Sequence, residues 1–134
     1  MDCLKKMYDK AKIPGFNRTM IGFRTLEENT ADNMGAKLAF KVHQRLNNEF
    51  GIEGRLEEMQ DFDNDQMFFL SYAMFFCNKK IYDKEFLAVT MFVDPHAPDI
   101  LRVNTVLANM PEFAKAFHCS PNSPMNPKTR CQVY

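Results

Sequence analysis

The sequence predicts a mainly α-helical fold. Two observations carry this prediction: apolar residues recur at helical spacing between Thr25 and Phe50, and residues 67–77 are apolar on every side of a helical projection. The composition agrees, because thirteen Phe and ten Met with no Trp in 134 residues are typical of an apolar, helix-rich interior. The length fits one globular domain or a part of a larger one.

The first predicted helix follows a mixed segment, residues 1–24, in which Pro14-Gly15 indicates a turn. The S/T-x-x-E pattern from Thr25 to Glu28 predicts a capping box, and Gly51 predicts the end of the helix. Its apolar stripe, expected on the side away from solvent, consists of Ala31, Met34, Leu38, Val42 and Leu46.

The middle of the chain alternates between polar and apolar segments. Residues 51–65 are polar and acidic and predict a loop before the apolar helix of residues 67–77. Asp83 could cap a further helix over residues 84–93, although Leu87 to Val93 could equally form a strand by propensity. Periodicity does not decide between the two.

Prolines organise the last third of the chain. Two of them make Asp94 to Pro98 a loop, because they interrupt any regular element. Pro111 suits the first turn of a short helix from Glu112 to Phe117. The segment from Ser120 to Pro127 is rich in Pro, Ser and Asn and predicts another loop.

The charge balance excludes two classes of partner. Lys and Arg number 17 and Asp and Glu number 17, so the net charge is zero. Nucleic acids and anionic membranes need clustered positive charge, so neither is expected as the main partner. The sequence contains no run of 18 apolar residues, so it predicts no transmembrane helix. No apolar segment follows Lys6, so it predicts no signal peptide.

The four cysteines leave the redox environment open. Cys3, Cys77, Cys119 and Cys131 form no C-x-x-C pair, which argues against a zinc ribbon or a thioredoxin-like site. Two long-range disulfides and four buried thiols fit the spacing equally well. Asn17-Arg18-Thr19 is a glycosylation sequon, which favours a secreted context weakly.

Two pairs of residues could carry chemistry. Glu28 and Asp32 are one helical turn apart and share a face, as a metal-ligating carboxylate and a supporting acid would. His96 lies between two prolines that stiffen its loop, and Arg102 offers a planar donor that can grip a carbonyl or carboxylate. Each pair taken alone is explained more simply as a helix cap with a surface acid, or as a loop histidine with a surface arginine.

Five segments resemble a known family when they are taken together. They are Thr25 to Asn33, Gln66 to Ala73, Asp94 to Pro98 with Leu101-Arg102-Val103-Asn104, Asn109 to Cys119, and Met125-Asn126-Pro127 with Cys131. In order and spacing they are similar to the carboxy-terminal portion of the neprilysin and endothelin-converting-enzyme family of zinc metalloendopeptidases. The first, for example, resembles T-L-G-E-N-I-A-D-N, and the third resembles D-x-H-[SA]-P. The resemblance covers essentially the whole chain, from about Cys3 to Tyr134.

The resemblance implies a fold and a role for each candidate residue. The fold would be the carboxy-terminal helical part of a thermolysin-like metallopeptidase catalytic domain. Glu28 matches the third zinc ligand of the family, and Asp32 matches the acid that orients a zinc-bound histidine. His96 matches the histidine that stabilises the oxyanion of the tetrahedral intermediate, and Arg102 matches the arginine that holds a substrate carbonyl.

The resemblance also implies a mechanism. In metal-assisted peptide hydrolysis, zinc polarises the scissile carbonyl and lowers the pKa of its bound water, and a glutamate takes the proton from that water. Phe75 and Phe76 match the Val-Trp pair that walls the pocket for the side chain after the cut bond, so that pocket would stay apolar.

The same resemblance implies a pairing of the cysteines. Cys3 would form a disulfide with Cys131. Cys77 and Cys119 would pair with partners outside this chain and stay free within it.

The departures from the family pattern limit what the chain is expected to do alone. No H-E-x-x-H is present, so two zinc ligands and the general base are expected to lie in a missing amino-terminal portion of the peptidase. Glu27 and Met34 replace glycines, and Tyr134 replaces a tryptophan. We expect residues 1–134 to be an inactive carboxy-terminal part of a peptidase that acts at the extracellular face of the plasma membrane or after secretion. The alternative is a non-catalytic helical remnant or binding module.

Overall fold

A computed structural model describes residues 1–17, 20–77 and 84–133 and confirms the mainly α-helical prediction. Over these ranges it contains no β-strand. The helices are α1 (Asp2–Asp9), α2 (Leu26–Phe50), α3 (Asn64–Phe75), α4 (Lys84–Val93), α5 (Asp99–Ala108) and α6 (Pro111–Ala116), with a 3₁₀ turn at Glu57–Met59 between α2 and α3. None of the helices in the described part of the chain is long and apolar enough to cross a membrane.

Helix α2 begins and ends where the sequence predicts, but the capping box predicted at its start does not form. Gly51 ends the helix with a φ of 91°, a conformation that glycine adopts without strain. The Thr25 hydroxyl accepts a hydrogen bond from Asn29 Nδ2 at 2.7 Å instead of capping the backbone. The capping box that does form joins Asp63, near the end of the segment predicted to be a loop, to Gln66 in the first turn of α3.

The predicted apolar stripe of α2 is also wrong, because that stripe is exposed. The exposed fractions of Met34, Leu38, Val42 and Leu46 are 38%, 65%, 49% and 49%. The buried side of α2 consists of Asn29, Asn33, Ala36 and Phe40. Hydrogen bonds within the protein compensate most of the buried amide atoms, so polar residues take the core side of this helix. Among the described residues, the buried Asn29 Oδ1 is left without a hydrogen-bond partner.

A chain of buried amide groups connects the helices. Asn33 Nδ2 donates to the Tyr8 hydroxyl at 3.2 Å, and Asn109 Nδ2 donates to Asn33 Oδ1 at 2.9 Å. Asn109 also holds the backbone of Cys131, accepting from its N–H at 2.6 Å and donating to its carbonyl oxygen at 3.0 Å. These bonds tie α1, α2 and α5 to the carboxy-terminal tail.

Two apolar clusters form the core, and α5 contributes to both. The first lies between α1, α4, the start of α5 and the tail, and includes Leu4, Tyr8, Leu87, Met91, Leu101 and Val133. The second lies between α2, α3, the end of α5 and the loop after it, and consists of Ala36, Phe40, Phe69, Val106, Leu107 and Met110. Because α5 spans both clusters, it fixes their relative position.

The environment predicted for α3 is only partly correct. A helix that is apolar on every side is expected in the middle of a core, yet in α3 only Phe69 is fully buried. Met74 and Phe75 are 74% and 85% exposed. Helices α2, α5 and α6 cover one side of α3 and leave its last turn uncovered.

The remaining elements divide into predicted and missed ones. Residues 84–93 form a helix rather than a strand, and α6 matches its prediction to within a residue at either end. Helices α1 and α5 were not predicted. Asp83, the proposed cap of α4, lies outside the described residues, as do Arg18 and Thr19 of the sequon and Tyr134.

A disulfide joins the two ends of the chain, as the resemblance implies. Cys3 and Cys131 are bonded, with their Cα atoms 5.6 Å apart. Cys77 is an exposed free thiol and Cys119 a partly buried one. The spacing of the cysteines alone had left four free thiols as an equal alternative.

Candidate active site

Glu28 and His96 approach each other although they are 68 positions apart in the sequence. His96 Nε2 lies 3.3 Å from Glu28 Oε2, and each side chain is about two-fifths exposed, at 40% and 41%. Glu28 is in the first turn of α2, and His96 is in the loop between α4 and α5. The contact therefore puts a carboxylate and an imidazole side by side on an accessible surface.

Asp94 fixes the orientation of the His96 ring. Its Oδ1 accepts from the His96 backbone N–H at 2.8 Å and lies 2.9 Å from His96 Nδ1. The backbone N–H of His96 is the main reason why the pKa of Asp94 is lowered. The imidazole is thus held between two carboxylates, with Asp94 at Nδ1 and Glu28 at Nε2.

Asp32 and Arg102 form a bidentate ion pair beside the first pair. Arg102 Nε and Nη2 each donate to a different Asp32 oxygen at 2.7 Å. The side chains are only 13% and 22% exposed, respectively, so this pair is better shielded from solvent than an ordinary surface salt bridge. The bonds to Asp32 raise the pKa of the Arg102 guanidinium.

Aromatic rings from the end of α3 complete the surroundings of Arg102. Its guanidinium carbon lies 4.8 Å from the centroid of the Phe76 ring, within cation–π range. The Tyr72 hydroxyl donates to the Arg102 carbonyl oxygen at 3.0 Å, and the Tyr72 and Phe76 rings are 5.3 Å apart. Burial raises the pKa of Tyr72, so its hydroxyl stays protonated and remains a donor.

A shallow cavity borders these aromatic residues. Its volume is about 270 Å³, and its walls include Phe76, Cys77, Ile100 and Val103. Phe75 is exposed and packs edge-on against Phe76. Of the two predicted pocket residues, Phe76 therefore lies next to Arg102, whereas Phe75 is on the surface.

The described residues do not fit a catalytic zinc ion by themselves. Such an ion needs about three protein ligands, and the described part of the chain has no group of three or more His, Cys, Asp or Glu residues that could hold a metal. Both Asp32 oxygens accept from Arg102, and Asp94 is engaged by His96. Glu28 and Asp94 are similarly accessible, at 41% and 39%, and Glu28 is the one of the two that lies on α2.

The structure thus brings together all four residues that the sequence singled out. Glu28, Asp32, His96 and Arg102 meet where the first turns of α2 face the loop before α5 and the first turn of α5. Sequence reasoning gave no role to Tyr72 or to Asp94. The sequence held a signal for Asp94, because Asp side chains in loops often form an Asx-turn, in which they accept from the backbone N–H two residues further on.

Comparisons with known proteins agree on one family. The model of peptidase family M13 matches residues 1–133. Neprilysin-1 of Caenorhabditis elegans is 42% identical over 133 residues, which are 98% of this chain and 17% of that protein. Endothelin-converting enzyme-like 1 of Homo sapiens is 36% identical over 99% of this chain and 16% of its own length.

A solved structure shows the same fold. The protein described as Haemonchus galactose containing glycoprotein complex superposes with a TM-score of 0.90 at 30% identity, covering 99% of this chain and 22% of the other. The chain spans about a sixth of the length of the curated relatives it matches, at 17% and 16%.

Proposed function

The chain belongs to peptidase family M13, and on that basis we propose that it is the carboxy-terminal part of a zinc-dependent, neprilysin-like metalloendopeptidase. The whole enzyme would cut peptides on the amino side of hydrophobic residues, outside the cell. The observation that carries the proposal is the convergence of Glu28 with His96 and of Asp32 with Arg102 on one surface.

Each of the four residues has a role that its geometry supports. Glu28 is the zinc-ligand carboxylate contributed by this chain, since it is accessible and faces the imidazole. His96 donates a hydrogen bond to the substrate oxygen as negative charge develops there, and Asp94 keeps its ring in place. Arg102 binds a substrate backbone carbonyl with the guanidinium donor that Asp32 does not use.

Asp32 has two roles in this proposal. Its two oxygens accept from Arg102 and set the plane of the guanidinium. A carboxylate has about four acceptor positions, so Asp32 can also accept from a histidine of the upstream portion. One acid would then orient both the substrate-binding arginine and a metal-binding histidine.

The upstream portion of the peptidase would supply the other two zinc ligands and the general base. Met74 and Phe75, at the uncovered end of α3, provide apolar surface next to the site for it to pack against. Without that portion, residues 1–134 would bind zinc weakly and hydrolyse no peptide. The lost base alone is typically worth about 10²–10⁴-fold in rate.

A chimera tests the proposal directly. The chain replaces its counterpart in neprilysin-1 of Caenorhabditis elegans, and a quenched peptide with a hydrophobic residue after the cleavage site is the substrate. We expect cleavage that stops with a chelator and in the Glu28→Gln variant. Arg102→Lys should raise KM more than it lowers kcat, because lysine keeps the charge but loses the planar donor set.

A cleavage assay of the isolated chain accompanies the chimera. With zinc added, residues 1–134 should leave the same peptide intact. Cleavage by the isolated chain that disappears in Glu28→Ala and with chelator would mean that a complete site exists here. A correctly folded chimera that stays inactive would favour the helical remnant or binding module instead.

A further inference from the structure

The side chain of Arg102 is held by groups from two other helices. Asp32 of α2 accepts from its Nε and Nη2 at 2.7 Å each, which fixes one edge of the guanidinium plane. The ring of Phe76, the residue that follows α3, lies 4.8 Å from the guanidinium carbon and supports its face. These two contacts restrain the end of the side chain, but they do not fix the backbone from which it extends.

Tyr72 contacts that backbone. Its hydroxyl donates to the Arg102 carbonyl oxygen at 3.0 Å, and so joins the last turn of α3 to the first turn of α5. A carbonyl oxygen has two lone pairs, so it can accept this bond in addition to one within its own helix. The bond is partly buried, which limits competition from water.

Tyr72 also supports the ring beneath the guanidinium. The Tyr72 and Phe76 ring centroids are 5.3 Å apart, because the two residues lie one helical turn from each other. Tyr72 therefore contacts Arg102 through its hydroxyl and the platform of Arg102 through its ring. A single side chain of α3 thus holds both ends of this arginine, one directly and one through Phe76.

The ion pair between Arg102 and Asp32 depends on this arrangement. A bidentate pair needs both N–H groups aligned with the two carboxylate oxygens. Asp32 lies on α2 and Arg102 on α5, so a shift of α5 relative to α2 would disturb both bonds at once. The Tyr72 hydroxyl opposes such a shift, since it ties the start of α5 to α3.

We propose that Tyr72 is a positioning residue of the peptidase, one that fixes Arg102 for binding of the substrate carbonyl; this inference rests on the proposed function. Nη1 is the guanidinium nitrogen that Asp32 does not use. Its direction depends on the plane set by Asp32 and Phe76 and on the backbone position set by Tyr72. Tyr72 acts through Arg102, because its one hydroxyl proton is directed at the Arg102 carbonyl oxygen.

Tyr72→Phe tests this role in the neprilysin-1 chimera, since it removes the hydroxyl and keeps the ring beside Phe76. We expect KM to rise about three- to tenfold, the range of one net hydrogen bond, and kcat to stay within about twofold. Arg102 would bind the substrate carbonyl in the ground state and in the transition state alike, so the loss falls on KM. A merely structural role would lower the amount of active enzyme and leave KM unchanged.

A double-mutant cycle shows whether Tyr72 acts through Arg102. In an Arg102→Lys background, Tyr72→Phe should change KM by less than about twofold, because the guanidinium that it positions is gone. Gln66→Met is the matched control. Gln66 is also on α3, but its Nε2 donates to the Ala116 carbonyl oxygen of α6 at 2.9 Å, and it forms the capping box of α3. Its loss should lower stability and leave KM unchanged.

NMR of the isolated, isotope-labelled chain gives a readout that needs no catalysis. The Arg102 Nε–H, which is bonded to Asp32, should exchange slowly with water, and Arg102→Lys identifies its signal by removing it. Tyr72→Phe should accelerate this exchange about three- to tenfold, because the start of α5 opens more often. Gln66→Met should leave the exchange rate unchanged.

The outcomes separate this inference from the proposed function. An unmutated chimera that cleaves no peptide contradicts the proposed function, and the Nε–H exchange then decides the role of Tyr72. An unchanged KM or an unchanged exchange rate in Tyr72→Phe overturns the positioning role. The same holds for a rise in KM that Gln66→Met reproduces, or one that persists in full in the Arg102→Lys background.

Discussion

At the residue scale, the site depends on side chains that hold other side chains. Arg102 is held by Asp32 on one edge and by the Phe76 ring on one face, and His96 is held by Asp94. The resemblance of short segments identified the groups that would face substrate. It did not identify their supports, because a support is defined by a contact across the fold rather than by a residue type.

Acidification should release His96 from Asp94. The pKa of Asp94 is below its ordinary value of 3.8, so its hydrogen bonds persist above that value and are lost as the pH falls through the lowered pKa. In a carbon-detected NMR titration, the Asp94 carboxyl should titrate below 3.8, and the His96 amide proton should shift with the same midpoint.

Asp94→Asn is the control for this titration. The amide oxygen can still accept from the His96 backbone, but it carries no titrating charge. The shift of the His96 amide proton in acid should then disappear. An Asp94 midpoint at or above the ordinary value, or an unchanged acid shift in the variant, would contradict the assignment.

At the element scale, helix boundaries followed from the sequence more closely than helix faces did. Gly51 ends α2 and Pro111 begins α6 because backbone geometry alone decides these positions. The apolar stripe gave the wrong face of α2, since a chain of amide hydrogen bonds through Asn33 and Asn109 makes the polar face the buried one. Such compensation depends on partners up to 76 residues away, which periodicity does not reveal.

Gly35 offers a measurement on α2 itself. It lies within the helix, and a Cβ atom added there would have no atom within 4 Å among those considered around it. Gly35→Ala should therefore raise the free energy of unfolding by about 0.5–1 kcal/mol, because alanine has less backbone freedom to lose in a helix. Urea denaturation of both proteins measures the difference.

Gly22→Ala is the matched comparison. A Cβ atom there would lie 2.4 Å from the Lys5 carbonyl oxygen and 3.0 Å from Asp9 Oδ1. This substitution should lower the free energy of unfolding, because the backbone must move away from α1. If Gly35→Ala also destabilised the chain, that side of α2 would be more closely packed than the structure indicates.

At the scale of the whole molecule, the sequence predicted the fold class and left the covalent framework undecided. Helical periodicity was enough for a mainly α fold, but four scattered cysteines are compatible with several pairings. The family resemblance supplied the Cys3–Cys131 pair, which the structure contains. Physically, the bond joins α1 and the tail, two short segments that share the first apolar cluster.

Loss of this disulfide should destabilise the chain more than any single contact. The bond closes a loop with a sequence separation of 128, which the chain-entropy model values at about 5 kcal/mol. Domains of this size have total stabilities of about 5–15 kcal/mol. Helix α1 has only 8 residues, too few to persist without tertiary contacts, so Cys3→Ser with Cys131→Ser should free it and the tail first.

Hydrogen exchange by mass spectrometry, read together with urea denaturation, measures both effects. Amides of α1 and of residues 128–133 should lose protection before those of α2, α3 and α6, which pack around the second apolar cluster. Cys77→Ser, which removes an exposed free thiol, should change the free energy of unfolding by no more than about 0.5 kcal/mol. If Cys3→Ser with Cys131→Ser lowered the free energy of unfolding no more than Cys77→Ser does, the first apolar cluster would hold α1 and the tail without the covalent bond. The disulfide would then not stabilise the chain by lowering the entropy of its unfolded state.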